Sequence, residues 1–300
     1  MTYASASVAD TLSRKGDAMT SHVTRVTRLS TGTVDIHPQH AHRGRAPMYW
    51  WILTSRRWLR ARPINVYVIE HTDGLVVFDT GQDRASVTDP HYFPDGANGI
   101  IYRRLARFHV EAPETITAGL ERLGYSTAEV STAVISHLHQ DHIGGVAELA
   151  HADLLVSPDE WRSLHRPLAG TRGLLRAHIE LPGLNWRPIQ FHPLHDPTLQ
   201  PFTSGHDLFD DGSMVILPTP GHTRGSMSML VRPPGRPPLL LVGDLTYDIH
   251  AFDRGVHSGV GSRRTLGRTR ERVLALRANN PGMRILAAHD PAAAGILEAA

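Results

Sequence analysis

Three imidazoles and one carboxylate lie within six consecutive residues, and side chains of these types bind metal ions. The stretch holds His137, His139, Asp141 and His142. It follows residues 132–136, which have the composition of a buried strand, and two glycines after it would let the backbone turn tightly into a helix. Imidazole nitrogen and carboxylate oxygen are the ligands that zinc accepts without thiolates, and the chain has no cysteine. The alternative is a polar loop that is rich in histidine by coincidence, but this spacing favours a metal site.

The same stretch has enough ligands for more than one ion. Residues two apart in a turn that leaves a strand can point the same way. We therefore expect His137 and His139 to face one metal, and Asp141 and His142 to face a second.

Three further candidate ligands, His222, Asp244 and His289, each follow an apolar run that predicts a strand. Clefts form at the carboxyl ends of strands in layered α/β proteins, so these residues reinforce the metal hypothesis. Asp244 directly follows four apolar residues, where a carboxylate is costly unless a partner offsets its charge. Two cations would be such a partner, and a capping or turn role is the alternative.

The elements that must position these side chains alternate between short β-rich runs and helical patterns. Strands are predicted over residues 66–70, 75–78, 132–136, 154–157, 213–217, 226–231, 239–242 and 284–287, and helices over 113–123 and 265–277 and from Pro158 onward. This order fits two mixed sheets covered outside by helices. Residues 167–211, rich in Pro, Gly and His, predict an insertion or lid-like excursion. No linker divides the chain, so we expect a poorly ordered tail over residues 1–22 and one domain over 23–300.

Composition narrows the classes of partner. The 31 basic and 29 acidic side chains leave a formal net charge of +2, too small to argue for nucleic acid or an anionic membrane. No run approaches the ~18 apolar residues that span a bilayer, and the first twenty residues lack the apolar core of a signal peptide. A cytoplasmic location is the expectation. A loose group of arginines predicts a solvated surface: Arg43, Arg45, Arg56, Arg57, Arg60 and Arg62.

The motifs together resemble the metallo-β-lactamase superfamily over nearly the whole chain, from about Val23 onward. Within it, the chain is most similar to the N-acyl-homoserine lactonases. The motifs that carry the resemblance are the His137–His142 stretch, Phe78-Asp79-Thr80-Gly81, Thr219-Pro220-Gly221-His222-Thr223, Gly243-Asp244-x-x-Tyr247 and Ala288-His289-Asp290-Pro291.

This resemblance implies an α+β fold, an αββα sandwich of two mixed β-sheets flanked by helices, with the site at one edge. It implies two zinc ions, for which manganese, cobalt or iron could substitute because such sites select weakly by affinity. It places His137, His139 and His222 on one ion, Asp141, His142 and His289 on the other, and Asp244 between them. Histidine rather than glutamate at position 139 favours hydrolysis over the redox chemistry of the superfamily's di-iron branch.

The implied activity is the opening of the lactone ring of N-acyl-homoserine lactones or similar small-molecule lactones. Water activated by the two metals would attack the carbonyl carbon, while Tyr247 polarises the carbonyl oxygen and Asp141 passes a proton to the leaving alkoxide. An aromatic residue at a strand end with an incidental hydroxyl is the alternative for Tyr247. Asp79 either orients a ligating histidine or caps a turn.

Other assignments stay open at this point. Met48, Trp50 and Trp51 are candidates for an acyl-chain pocket, but a role in core or lid packing is as well supported. Another ester or thioester hydrolase, such as a glyoxalase-II-like thioesterase, is the rival enzyme. A non-catalytic metal-binding protein is the rival from another class, and the complete ligand set argues against it. The sequence leaves a homodimer open.

Overall fold

Two sheets account for the apolar runs of the sequence. The computed structural model describes residues 22–299. The first sheet has seven strands in the order β4-β1-β2-β3-β5-β6-β7. They are β1 (Val23–Ile36), β2 (Leu59–His71), β3 (Gly74–Phe78), β4 (Ala106–His109), β5 (Val130–Val134), β6 (Asp153–Val156) and β7 (Asn185–Pro188). The sheet is mixed. The neighbours β4 and β1, β1 and β2, and β2 and β3 pair antiparallel, whereas β3, β5, β6 and β7 run parallel.

The second sheet has six strands in the order β13-β12-β11-β10-β9-β8. They are β8 (His192–Pro193), β9 (Ser204–Asp207), β10 (Met214–Pro218), β11 (Met227–Val231), β12 (Leu239–Leu241) and β13 (Arg284–Leu286). The pair β12 and β13 is parallel and the other pairs are antiparallel, so this sheet is mixed as well.

Helices flank both sheets. They are α1 (Pro38–Ala41), α2 (Met48–Thr54), α3 (Ala85–Thr88), α4 (Gly96–Leu105), α5 (Ile116–Arg122), α6 (Gln140–Ile143), α7 (Pro158–Leu164), α8 (Arg176–Ile179), α9 (Ile249–Asp253), α10 (Arg263–Asn279) and α11 (Ala293–Glu298). Within residues 22–299, no helix has both the length and the apolarity that crossing a bilayer requires.

The alternation of side chains along β10 shows how the layers are held together. Met214 and Ile216 pack into the core between the two sheets, whereas Val215 and Leu217 pack outward into the core under α10. Successive residues of a strand face opposite sides, so a fully apolar strand is buried on both. The predicted αββα sandwich of two mixed sheets is therefore confirmed.

Residues 167–211 differ from their prediction as a lid-like excursion. They contain α8, and they add β7 to the edge of the first sheet and β8 and β9 to the edge of the second. The sequence did not predict these strands because they have two to four residues each, too short to show a period.

The segment around Gly144 and Gly145 and the N-terminal tail can also be compared with their predictions. The helix expected after Gly144 and Gly145 is a short 3-10 helix over Val146–Leu149, and a further helical turn, α6, precedes the two glycines. A Cβ on Gly144 would lie 2.0 Å from the backbone nitrogen of Asp83, so this glycine permits a close approach of two chain segments. The tail predicted over residues 1–22 falls, apart from His22, outside the described residues.

Candidate metal centre and active site

The predicted ligands meet where several strands end. His137, His139, Asp141 and His142 lie in and after the turn that leaves β5, whereas His222, Asp244 and His289 follow β10, β12 and β13. The first sheet thus contributes four candidate ligands and the second contributes three. All seven lie within one interconnected group of side chains.

The first subset of ligands consists of three imidazoles. His137 Nε2 and His222 Nε2 each lie 3.0 Å from His139 Nδ1. His139 Nδ1 therefore has two other imidazole nitrogens close to it. The side chains of His137 and His222 are buried. Convergent nitrogen atoms of this kind match one face of a tetrahedral metal site.

The second subset consists of Asp141, His142 and His289. His289 Nε2 lies 3.2 Å from Asp141 Oδ2, and His142 Nε2 lies 3.9 Å from Asp141 Oδ1. The donor atoms of this subset all lie within 4.8 Å of one another.

Asp244 lies between the two subsets. Its Oδ1 is 3.4 Å from His142 Nε2 and 3.3 Å from His289 Nε2, whereas its Oδ2 is 3.4 Å from His222 Nε2. Each carboxylate oxygen therefore faces a different subset, which is the arrangement that a bridging ligand needs.

Unsatisfied buried atoms show that this donor set fits metal ions. His142 Nε2 and Asp244 Oδ1 are buried and make no hydrogen bond within residues 22–299. Buried polar atoms without partners are costly, and a cation coordinated by both would remove that cost.

Outer hydrogen bonds orient the rings. His142 Nδ1 donates to Asp79 Oδ2 at 2.8 Å, and His289 Nδ1 donates to the carbonyl of Pro63 at 2.9 Å. Both rings therefore present Nε2 to the site. His139 is reversed, because its Nε2 donates to the carbonyl of Arg172 at 3.0 Å and leaves Nδ1 as the ligand atom. Asp79 also accepts from the backbone N–H and the hydroxyl of Ser136, so it positions a ring and a turn together.

The electrostatics favour the protonation states that metals need at His137, His222 and Asp141. At His142 and His289 the nearby carboxylates outweigh burial and raise the pKa, so these two rings would release a proton when a metal binds. Burial lowers the pKa of His222 to about 3 and that of His137 well below its usual value, so both rings are neutral. Burial alone would raise the pKa of Asp141, but His142 and His289 lower it to about 2. Neutral imidazoles and ionised carboxylates are the forms that coordinate metal.

Tyr247 contacts the bridging position directly. Its hydroxyl donates to Asp244 Oδ2 at 2.6 Å, and its ring stacks on that of His289 with 5.4 Å between centroids. Burial and the charge of Asp244 raise the pKa of the phenol well above 10, so Tyr247 is a neutral donor.

Two adjoining cavities open onto these residues. A small cavity of about 60 Å³ is lined by Asp141, Asp244, Tyr247 and His289, and a larger one of about 830 Å³ lies beside it. His139 and His222 line both, so the larger cavity extends from the metal ligands.

The three candidate pocket residues differ in position. Met48 and Trp51 line the larger cavity. Trp50 does not, and its side chain is 65% exposed. Gly173 also lines this cavity, and a Cβ there would lie 2.4 Å from His139 Cδ2, so only glycine leaves room for that ring.

Sequence reasoning missed two buried polar residues. Glu160 accepts from the backbone N–H groups of Leu138 at 3.2 Å and Gly225 at 2.9 Å, and so joins two ligand-bearing loops. Its Pro-Asp-Glu context predicted only a helix start. His40 lines the small cavity, and its Nδ1 has no hydrogen-bond partner within residues 22–299. Nothing in the local sequence distinguishes it from the other histidines.

The fold and the site define a metal-binding αββα protein with a substrate cavity beside the metal ligands. The family model described as the metallo-beta-lactamase superfamily matches residues 59–289. The chain therefore belongs to the metallo-β-lactamase superfamily, as its sequence predicted.

Individual relatives agree with this membership. N-acyl homoserine lactonase AttM from Rhizobium johnstonii is 29% identical over 234 residues, which cover 77% of this chain and 83% of that protein. The probable metallo-hydrolase Rv2300c from Mycobacterium tuberculosis is 31% identical over 243 residues, covering 76% and 74%. A solved N-acyl homoserine lactone hydrolase, with the product N-hexanoyl-L-homoserine bound at its catalytic metal centre, shares the fold with a TM-score of 0.71. It is 20% identical, and the match covers 90% of this chain and 94% of that one.

Proposed function

We propose that this chain is a binuclear metal-dependent hydrolase that opens the ring of N-acyl-homoserine lactones or similar lactones. The observation that carries the proposal is Asp244, whose two oxygens face separate ligand subsets while Tyr247 donates to one of them. Relatives named N-acyl homoserine lactonase support the choice of substrate.

The donor set fits two zinc ions, with manganese, cobalt or iron as substitutes. His137, His139 and His222 would hold one ion, and Asp141, His142 and His289 the other, with Asp244 shared. When bound, the ions supply Lewis acidity and a water molecule whose pKa is lowered toward neutrality.

Tyr247 is suited to stabilise the charge that develops on the lactone carbonyl oxygen. Its phenol is neutral, buried and held by stacking on His289. The single hydroxyl proton is donated to Asp244 in this structure, so it would turn from Asp244 Oδ2 to the carbonyl oxygen when substrate binds. A donor fixed where negative charge builds stabilises the transition state more than the bound substrate.

Asp141 is suited to move the proton. Its side chain is 17% exposed, against 4% for Asp244, so it is the more accessible of the two site carboxylates. Its low pKa keeps the carboxylate ionised at the start of the reaction, so it has a site free to accept a proton. Asp141 takes a proton from the attacking water and delivers it to the ring oxygen as the carbonyl carbon–oxygen bond breaks. The product is a hydroxy acid, which releases one proton at neutral pH.

The test is hydrolysis of homoserine lactones of several acyl lengths by zinc-supplied protein, followed with a pH indicator. We expect one acid per lactone consumed, loss of the rate after chelation and recovery when zinc is restored. A thioester such as S-lactoylglutathione runs in parallel. Protein with full metal that opens no lactone of any chain length would exclude the lactonase assignment, and turnover of the thioester alone would favour the rival enzyme.

A further inference from the structure

The wall of the larger cavity is strongly cationic. The arginines that line it are Arg43, Arg45, Arg172, Arg224 and Arg263. Among the described residues the only carboxylate on this wall is Glu160, which accepts hydrogen bonds from two backbone N–H groups. The whole chain is nearly balanced, with 31 basic and 29 acidic side chains. The charge of this cavity is therefore a local feature, and it is not a consequence of composition.

These arginines have no anionic partner within residues 22–299. The guanidinium of Arg43 donates to the carbonyls of Ser258 and Gly261, and that of Arg172 donates to the carbonyl of Pro167. None of the five forms an ion pair with a carboxylate in that part of the chain. Burial and the nearby charge of Arg263 lower the pKa of Arg43, so the two cations repel. An anion in the cavity would relieve this repulsion.

The start of α10 adds to the same potential. Ser262, Arg263 and Thr265 line the cavity at the amino end of this 17-residue helix, and its first turn has no acidic residue. The positive end of a helix dipole is stabilised by acidic side chains and destabilised by basic ones. Arg263 lies at the amino end of the helix, where a cation lowers helix stability. A residue that binds an anion would be retained at such a position in spite of this cost.

Apolar side chains also line this cavity. Met48, Trp51, Ile52 and Leu174 line the same cavity. An aliphatic chain would therefore fit along the wall and still bring a terminal charged group to the arginines.

We infer that the preferred substrate is a lactone whose acyl chain carries a carboxylate, which the cavity arginines bind. The inference rests on the proposed function and specifies its substrate class. Arginine suits this role because its planar guanidinium matches a carboxylate and stays charged at all physiological pH values.

The first test compares homoserine lactone acylated with adipic acid, which keeps a free carboxylate, with the isosteric adipic monoamide. We expect kcat/KM to favour the carboxylate about tenfold at low ionic strength, and the preference to shrink severalfold at roughly 0.5 M salt because of screening. Arg45→Gln and Arg263→Gln should each reduce the preference by about two- to fivefold. The control is Arg264→Gln, which removes an exposed neighbouring charge that does not line the cavity and should keep the ratio.

The second test measures binding without turnover. Calorimetric titration of the zinc-loaded protein compares N-butyl adipamic acid with N-butyl adipamide, and the acid should bind more tightly. Equal affinities would overturn the inference. A preference that survives both Arg45→Gln and Arg263→Gln would also overturn it, because the metal ions would then be its source. If the acid binds more tightly through these arginines and no lactone is opened, the proposed function fails and the lactone substrate fails with it, and what stands is the binding of a carboxylate by the cavity arginines.

Discussion

At the scale of single residues, the hydroxyl of Tyr247 is the group whose chemistry can be isolated most cleanly. Tyr247→Phe should lower kcat on an N-acyl-homoserine lactone by roughly 10- to 10³-fold. The upper end of this range is the loss in kcat that follows removal of one oxyanion-hole donor. KM and metal content should change little, since the interaction strengthens as charge develops. The control is Tyr67→Phe, which removes a buried hydroxyl that bonds to the carbonyl of Ala287 at 3.2 Å, away from the cavities. Similar kcat losses in both variants would contradict the assigned role.

Asp244 and Asp248 offer a matched pair. Asp244→Asn removes the charge between the two ligand subsets, so we expect fewer than two metal ions per chain and a large loss of activity. Asp248 accepts from the backbone N–H of Ala251 at 3.0 Å and caps α9, and asparagine caps a helix equally well. Asp248→Asn should therefore keep both metals and the rate. Elemental analysis beside a rate assay decides, and parallel behaviour of the two variants would remove Asp244 from the bridging position.

Residue types explain why the clustering of the candidate ligands could be predicted and the contacts of Glu160 could not. His137, Asp141 and Asp244 have side chains whose chemistry marks them in the sequence, and each follows an apolar run. The partners of Glu160 are backbone N–H groups, which every residue except proline has. Only the fold shows which of these groups a buried carboxylate reaches.

At the scale of elements, Glu160 fixes two ligand loops from the first turn of α7. Glu160→Gln would turn one acceptor oxygen into an amide donor that faces a backbone N–H. We expect a loss of about 1–3 kcal/mol in the free energy of unfolding and weaker zinc retention. Asp159→Asn, one residue earlier and exposed, breaks only a surface pair with Arg162 and should cost less than about 1 kcal/mol. Thermal unfolding and zinc titration measure both variants. If Glu160→Gln changes neither the unfolding free energy nor zinc retention, Glu160 does not hold the two ligand loops together.

The elements that the sequence predicted are those with a clear pattern. β10 and β12 are continuous apolar runs, β11 is apolar except for Ser228, and α10 repeats buried positions at Leu266, Thr269, Val273 and Leu276. β1 has no such pattern, because register shifts interrupt its pairing with β2 and its buried positions change phase. The edge strand β8 has only two residues, so its hydrogen bonds to β9, and not a pattern in its sequence, identify it as a strand.

At the scale of the whole molecule, the metal ligands come from both sheets, so metal binding should stabilise the packing of one sheet on the other. A ligand present at ~1,000 times its dissociation constant stabilises the folded state by about 4 kcal/mol. Zinc-loaded protein should therefore unfold at a clearly higher temperature than chelated protein, and restored zinc should reverse the difference. Equal unfolding temperatures with and without metal would show that the ligands do not couple the sheets.

The cationic cavity is also a property of the whole molecule. Its arginines lie at positions 43, 45, 172, 224 and 263, and only the fold brings them together. The sequence predicted a solvated surface for the first two, and Arg45 is exposed and Arg43 partly buried where they line the cavity wall. Local patterns identify elements and ligand types, whereas the charge of a pocket depends on contacts between distant segments.

The loop that holds Arg172 and Gly173 has a consequence for how substrate range can diverge. It forms part of the cavity wall, and its backbone carbonyl also fixes the tautomer of His139. A descendant that lengthens this loop to admit a bulkier substrate would displace the acceptor of a metal ligand by the same change. The wall formed by α2 makes no hydrogen bond to a candidate metal ligand within residues 22–299, but its Tyr49 hydroxyl donates to the carbonyl of Thr171 in this loop at 3.2 Å. Evolution or directed mutagenesis can therefore resize the cavity from the α2 side at positions that spare this bond, such as Met48, without displacing the acceptor of His139.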